Sequence, residues 1–185
     1  MSKKPVRKLK RLLRKKPLTQ EQMAKELLWK NSLPRLIELA HQARSKGYSW
    51  KGFTVGVSAL VRTADGAWHI VTGWNHKKAS GPRQKGDHCA EEPALLRCDA
   101  LQSEEIVGMV IIAPPQVDDF ADIDLGVTIS CGHCRRTFRE RLAKGGALKP
   151  GTRLHYINAE NGRPIDLPVD ALLRLCNRKD AQVCG

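Results

Sequence analysis

Two short stretches hold the side chains able to do chemistry: Cys89-Ala90-Glu91 in HCAEEPALLRC, and Cys131 and Cys134 in ISCGHCRRTFRE. Three thiols can bind a metal ion, and a carboxylate two residues past the first can move protons beside it. A CxxC pair sets two thiolates on one tight turn. A helix following it, expected over Arg135 to Lys144, turns its positive N-terminal end toward their charge. With Cys89 supplied from another helix start, the fourth position on a zinc ion stays open to water, which loses a proton there far more readily than in bulk. Glu91 can stand beside that water without binding the metal. This is a catalytic arrangement.

Each half has blander readings. A CxxC is also a redox pair or half of a structural zinc knuckle. A structural site wants a fourth Cys or His, for which His88, His133, Cys98 and Cys176 are available. A thioredoxin-like pair leaves Cys89 and Glu91 without a role. The joint pattern is more specific than either half. Cys98, Cys176 and Cys184 read as buried or incidental free thiols.

The elements that must position these residues follow from periodicity and punctuation. Thr19 and Gln22 form a capping box that opens a helix through about Trp29. Asn31 or Ser32 caps a second helix, with Pro34 in its first turn, ending near Gly47 and burying Leu36, Leu39, Ala40 and Ala43. Phe53 to Val61 and Ala67 to Thr72 read as strands around the Asp65-Gly66 turn. Gly73 to His88 is a polar loop carrying Lys77, Lys78, Arg83 and Lys85, and it leads into a helix from Cys89 to Leu101. The nearly continuous apolar run from Ile106 to Ala113 predicts a strand buried on both faces. Pro114 to Asp124 is an acidic loop, and Val127 to Ser130 a short strand delivering the CxxC. Gly145-Gly146 ends the next helix. A strand over Leu154 to Asn158, a turn at Asn161-Gly162 and a helix over Pro168 to Cys176 complete a layered α/β sheet of mixed direction with helices on both faces.

The chain has 185 residues and a formal charge of +13, unevenly placed. Nine basic residues, Lys3, Lys4, Arg7, Lys8, Lys10, Arg11, Arg14, Lys15 and Lys16, fall in KKPVRKLKRLLRKK with no acid among them. Residues 1–17 therefore read as a basic arm ahead of one domain over 18–185. Such an arm gains affinity for phosphate chains by releasing their counterions, which makes single-stranded RNA or DNA a candidate partner. Its Val6, Leu9, Leu12 and Leu13 also suit a basic amphipathic helix on a membrane surface or an organelle-targeting peptide, and a solvated tail is the plainest reading. No apolar run has membrane-spanning length, and none near the start is of signal-peptide type. Six Cys in such a chain suggest a reducing, cytoplasmic setting in which thiols stay free for metal.

In order and spacing the motifs from about Leu36 to about Asn158 resemble the cytidine deaminase family. Its pattern of a helix ending in a tyrosine-serine stretch, then F-x-VGAAL, DG, G-x-N-x-E, CAER and PCGxCRQ is similar to LIELAHQARSKGYSW, Phe53-Thr54-Val55-Gly56-Val57, Asp65-Gly66, Gly73-Trp74-Asn75-His76-Lys77, CAEE and SCGHCRR. The resemblance implies a three-layer α/β/α fold on a five-stranded mixed sheet, with Zn2+ held by Cys89, Cys131 and Cys134 at two helix N-termini. It further implies Glu91 as proton shuttle, Phe53 lining the base pocket, and assembly as a homo-oligomer, dimer or tetramer. Backbone near Ala90 and Ser130 would hold the base edge, and cytosine would be deaminated to uracil.

Three departures stand out. Glu92 occupies the place of an arginine that offsets thiolate charge, leaving that work to Arg135. Ser130 replaces a proline whose main effect is to stiffen the turn. Asn75 keeps its place in the sugar-binding motif, but Lys77 replaces a glutamate; a cation cannot accept a hydroxyl proton, while it can pair with phosphate. The substrates left open are cytidine or deoxycytidine, and cytosine in a nucleotide or single-stranded nucleic acid. Adenine attacked at C6 and another aminated heterocycle, as in the blasticidin deaminase relatives, also remain. So does the different class of a non-catalytic, zinc-stabilised nucleic-acid-binding protein.

Overall fold

A computed structural model of the chain describes residues 18–49, 52–78, 84–115 and 128–180, with side chains through Arg174. The basic arm, Arg83, most of the acidic loop, the Cys176 side chain and Cys184 lie outside the described residues. In chain order the elements are α1 (Gln20–Ser45), β1 (Tyr48–Ser49), β2 (Gly56–Thr63), β3 (Trp68–Trp74), β4 (His76–Lys77), α2 (Glu91–Ala100), β5 (Ser103–Ala113), α3 (Gly132–Lys144), β6 (Arg153–Asn158), β7 (Pro164–Pro168) and α4 (Val169–Asp180). Five strands form one sheet in the order β3-β2-β5-β6-β7. The β5–β6 pair is parallel and the other three pairs are antiparallel, so the sheet is mixed.

Side chains alternate across a strand, and here the alternation separates two cores. Met109 and Ile111 of β5, with Val57, Ala59, Leu154 and Tyr156, pack against Leu95, Phe138 and Leu172 of α2, α3 and α4. Val110 and Ile112, with Leu60 and Ile157, pack against Trp29, Leu36 and Ala40 of α1. Because β5 is central it is buried on both faces, which is why its sequence is almost unbroken apolar.

The segment expected as two helices is one. Thr19 and Gln22 form the capping box, with bonds of 2.9 and 3.2 Å, and the helix then runs through Pro34. Pro34 and Lys30, whose carbonyl loses its partner there, are both exposed, so water can satisfy that carbonyl. Trp29, Leu36, Ala40 and Ala43 are buried along one stripe spanning the proline. Burying Trp29 and Leu36 is worth about 1.5–3 kcal/mol each, enough to offset a proline penalty of about 3 kcal/mol.

Three further expectations are corrected. Thr128 to Ser130 is irregular rather than a strand. His76–Lys77, expected as loop, pairs in parallel with Tyr48–Ser49. β7 is additional to the strands expected from the sequence; it is bounded by two prolines and pairs with β6 at the sheet edge, where a missing N–H need not face a neighbour.

Two glycines let helices rest directly on strands. A Cβ on Gly56 would stand 2.0 Å from the Ala40 carbonyl oxygen, and one on Gly73 would stand 2.2 Å from the Ala90 carbonyl oxygen and 2.7 Å from the Ala94 nitrogen. Both neighbours are helix backbone and cannot swing aside. Among the described residues, no helix is long and apolar enough to cross a membrane. Gly73→Ala should lower unfolding stability by about 1–3 kcal/mol, read as a fall in melting temperature, whereas Gly146→Ala, with open space around it, should change little.

Candidate metal centre and substrate pocket

Cys89 lies immediately before Ala90, the N-cap of α2; Cys131 is the N-cap of α3 and Cys134 sits in its first turn. Since α2 lies against Gly73 and α3 begins beyond β5, both helices bring their N-terminal ends to one place. The Cys89 and Cys131 sulfurs are 3.5 Å apart, Cys131 and Cys134 3.7 Å, and all lie within 4.8 Å of one another. Sulfurs bound tetrahedrally to zinc at about 2.3 Å would be separated by about 3.8 Å, so the trio fits this ion closely. Its soft donors and two helix dipoles suit the same cation.

The thiols share charge unequally. Hydrogen bonds from Cys134 and Cys89 draw the Cys131 pKa below the ordinary thiol value, while the same contacts, with burial, raise those of Cys89 and Cys134. No fourth ligand joins the group among the described residues. His133 instead approaches Glu92, Nε2 to carboxylate oxygen at 3.7 Å, and Cys98 is packed in the core, where burial pushes its thiol up to about 12.

Glu91, in the first turn of α2, is 5% exposed. Burial, and then the charge of Cys131, raise its pKa, against a hydrogen bond with Ser130 that lowers it. Arg135 is buried in the next turn of α3 and its Nη1 donates to the Ser130 carbonyl at 2.8 Å. Tyr156, missed in the sequence, lies fully buried on β6 with its hydroxyl 2.8 Å from the Ser130 Oγ. The phenol hydroxyl within the strand run LHYI was the available signal. These bonds do at Ser130 what a proline ring would do by stiffness.

Beside the thiols opens a cavity of about 250 Å³. Phe53, Asn75, Lys77, Ala90, Glu91 and Ser130 all line it, with Cys89, Cys131 and His88. Asn75 is more occupied than the motif suggests. Its Oδ1 accepts from Val55 N at 2.7 Å and its Nδ2 donates to the Phe53 carbonyl at 2.8 Å, so the amide fixes the backbone beneath Phe53. Lys77 is exposed on β4. The Asp87 carboxylate accepts from the Lys78 and Gln84 amides at 3.0 Å each. Cys134→Ser should weaken zinc binding by more than about 100-fold, whereas Cys98→Ala should retain a full metal content; metal analysis after dialysis against a weak chelator separates the two.

No protein-family model matches the chain, and no curated protein matches it. Solved structures do. Cytidine deaminase from Burkholderia pseudomallei is 26% identical, covers 75% of this chain and 94% of its own, and overlaps with a TM-score of 0.55. Cytidine deaminase from Mycobacterium leprae is 23% identical over 76% of this chain and 96% of its own, with a TM-score of 0.49. That from Mycobacterium tuberculosis is 24% identical over 76% and 93%, with a TM-score of 0.47. The likeness to the Burkholderia protein, together with the five-stranded mixed sheet and its flanking helices, shows that this chain has a cytidine deaminase-like fold.

Proposed function

We propose that the protein is a zinc-dependent hydrolase that converts a cytosine ring to uracil and ammonia. The observation that carries this reading is the trio of sulfurs at the spacing of a zinc tetrahedron, open on one side, with a buried acid at the wall of the same cavity. A zinc ion held by Cys89, Cys131 and Cys134 would supply the Lewis acidity that makes water a nucleophile near neutral pH.

The chain's own groups do the rest. Glu91, whose protonated form burial favours, delivers a proton to ring N3 as oxygen adds at C4; its carboxylate then takes the proton of the added hydroxyl and gives it to the amino nitrogen as the C4–N bond breaks. Backbone at Ala90 and Ser130 holds the base edge, Phe53 packs on the ring, and Asn75 fixes Phe53 in place. Arg135 offsets thiolate charge from inside the protein. Ammonia leaves and the carbonyl of uracil remains.

Lys77 at the cavity supports a phosphorylated substrate, because its ammonium matches phosphate and not a sugar hydroxyl that needs an acceptor. The basic arm supports the same choice. Homo-oligomeric assembly and a reducing, cytoplasmic setting belong to this reading as well.

Incubation of zinc-loaded protein with cytidine, dCMP and a mixed-sequence single strand should yield uracil from at least one. Glu91→Ala should lower that turnover by at least about 100-fold with zinc still bound. Unchanged turnover in the variant would remove the acid from the mechanism, and no uracil from any substrate would remove the reaction. Deleting residues 1–17 should raise KM for a single strand while sparing cytidine; equal effects on both would discount the arm.

A further inference from the structure

β1 and β4 lie side by side in parallel, with Tyr48 opposite His76 and Ser49 opposite Lys77. Side chains alternate along a strand, so the two pairs face opposite ways. Ser49 and Lys77 line the cavity, and Tyr48 and His76 turn to the other side of this rim. The His88 ring meets that of His76 at the cavity wall. The His88 backbone exchanges two hydrogen bonds with His76, at 2.9 and 2.8 Å, in an antiparallel bridge.

The rings follow one another in a row. Tyr48 and His76 have centroids 5.3 Å apart with planes at 36°, and His76 and His88 are 5.9 Å apart at 25°. The row begins at His88 on the cavity wall and ends at Tyr48, which is 51% exposed. An aromatic side chain half in water contributes little to a core, and the protein's other tyrosine, Tyr156, is wholly buried. Tyr48 thus ends a ladder of rings that leads out from the site, on a chain with a formal charge of +13.

We propose that the Tyr48-His76-His88 row is a stacking platform for a base neighbouring the target in a single-stranded nucleic acid, with Lys77 on the phosphate that joins the two nucleotides. Placing the target base in the cavity rests on the deaminase reading above. A free nucleoside engages neither Lys77 nor the row, and a mononucleotide engages only Lys77. A polynucleotide engages both, because every base has a π face and stacks with little regard to sequence. It also gives the basic arm a partner without requiring the arm to reach the cavity.

Binding by a protein unable to turn over tests this separately from catalysis. Zinc-loaded full-length protein carrying Glu91→Gln would be titrated into fluorescently labelled single-stranded RNA and DNA with one cytosine, flanked either by bases or by abasic sites. Adding Tyr48→Ala should weaken binding to the base-flanked strand about 10-fold at physiological salt, and Tyr48→Phe should restore it. Removing the flanking bases should cost a similar factor, and with Tyr48→Ala already present should cost little more. Equal affinity of the Tyr48→Ala protein for the base-flanked strand, or two losses that multiply, would overturn the platform. Because the arm is present throughout, its non-specific contribution cancels. A protein that stacks the strand but yields uracil from no substrate would sink the deaminase reading and leave the platform standing. Loss of binding with a lowered melting temperature, not rescued by Tyr48→Phe, would mean that Tyr48 acts on the fold, and this too overturns it.

Discussion

Three sulfur atoms held less than 5 Å apart are the constraint on which the rest of the architecture depends. Two or three thiolates at that distance repel one another strongly, so without a cation the cluster keeps protons and shares hydrogen bonds. The protein keeps the sulfurs together through its backbone. One thiol precedes a helix pressed onto β3 at Gly73, and the other two open a helix beyond the central strand. Both helix N-termini contribute positive potential to the same point. The first of these helices cannot shift without its contact with β3 giving way.

Around this point the polar groups are few, buried and mutually committed. Ser130 is the hub: Arg135 binds its carbonyl, Tyr156 its hydroxyl, and Glu91 lies within its reach. Enclosure of this kind raises the pKa of the acid. Asn75 shows the same economy. Its amide holds the backbone at Phe53 and Val55, which line the same cavity as the acid.

The cavity and its rim differ in character. Its interior is walled by Phe53, Val55 and Ile129 together with Glu91 and Ser130, while β1 and β4 present a lysine on the cavity side and aromatic rings on the other. Two residues per strand are enough to do this because a strand reverses its side-chain direction at every step. A pairing of only two residues therefore decides what borders the opening.

Much of this was legible along the chain. The capping box at Thr19, the hairpin turn at Asp65-Gly66, the doubly buried strand over Ile106 to Ala113 and the glycine stop at Gly145 are local signals, and each depends on a few neighbouring residues. The thiols and their acid could be read from residue type and spacing. What local pattern could not settle were competitions decided by packing. Pro34 argued for a break, and a buried stripe crossing it outweighed the break; Pro164 and Pro168 bound a strand that the sheet edge tolerates. The second use of Asn75, the buried Tyr156 beneath Ser130 and the row of rings from His88 to Tyr48 join residues distant in sequence. The sequence by itself determined which groups are chemically able to act, since that is a property of side chains. Tertiary structure alone decided which of them meet, because such contacts exist only once the sheet has brought separate segments together.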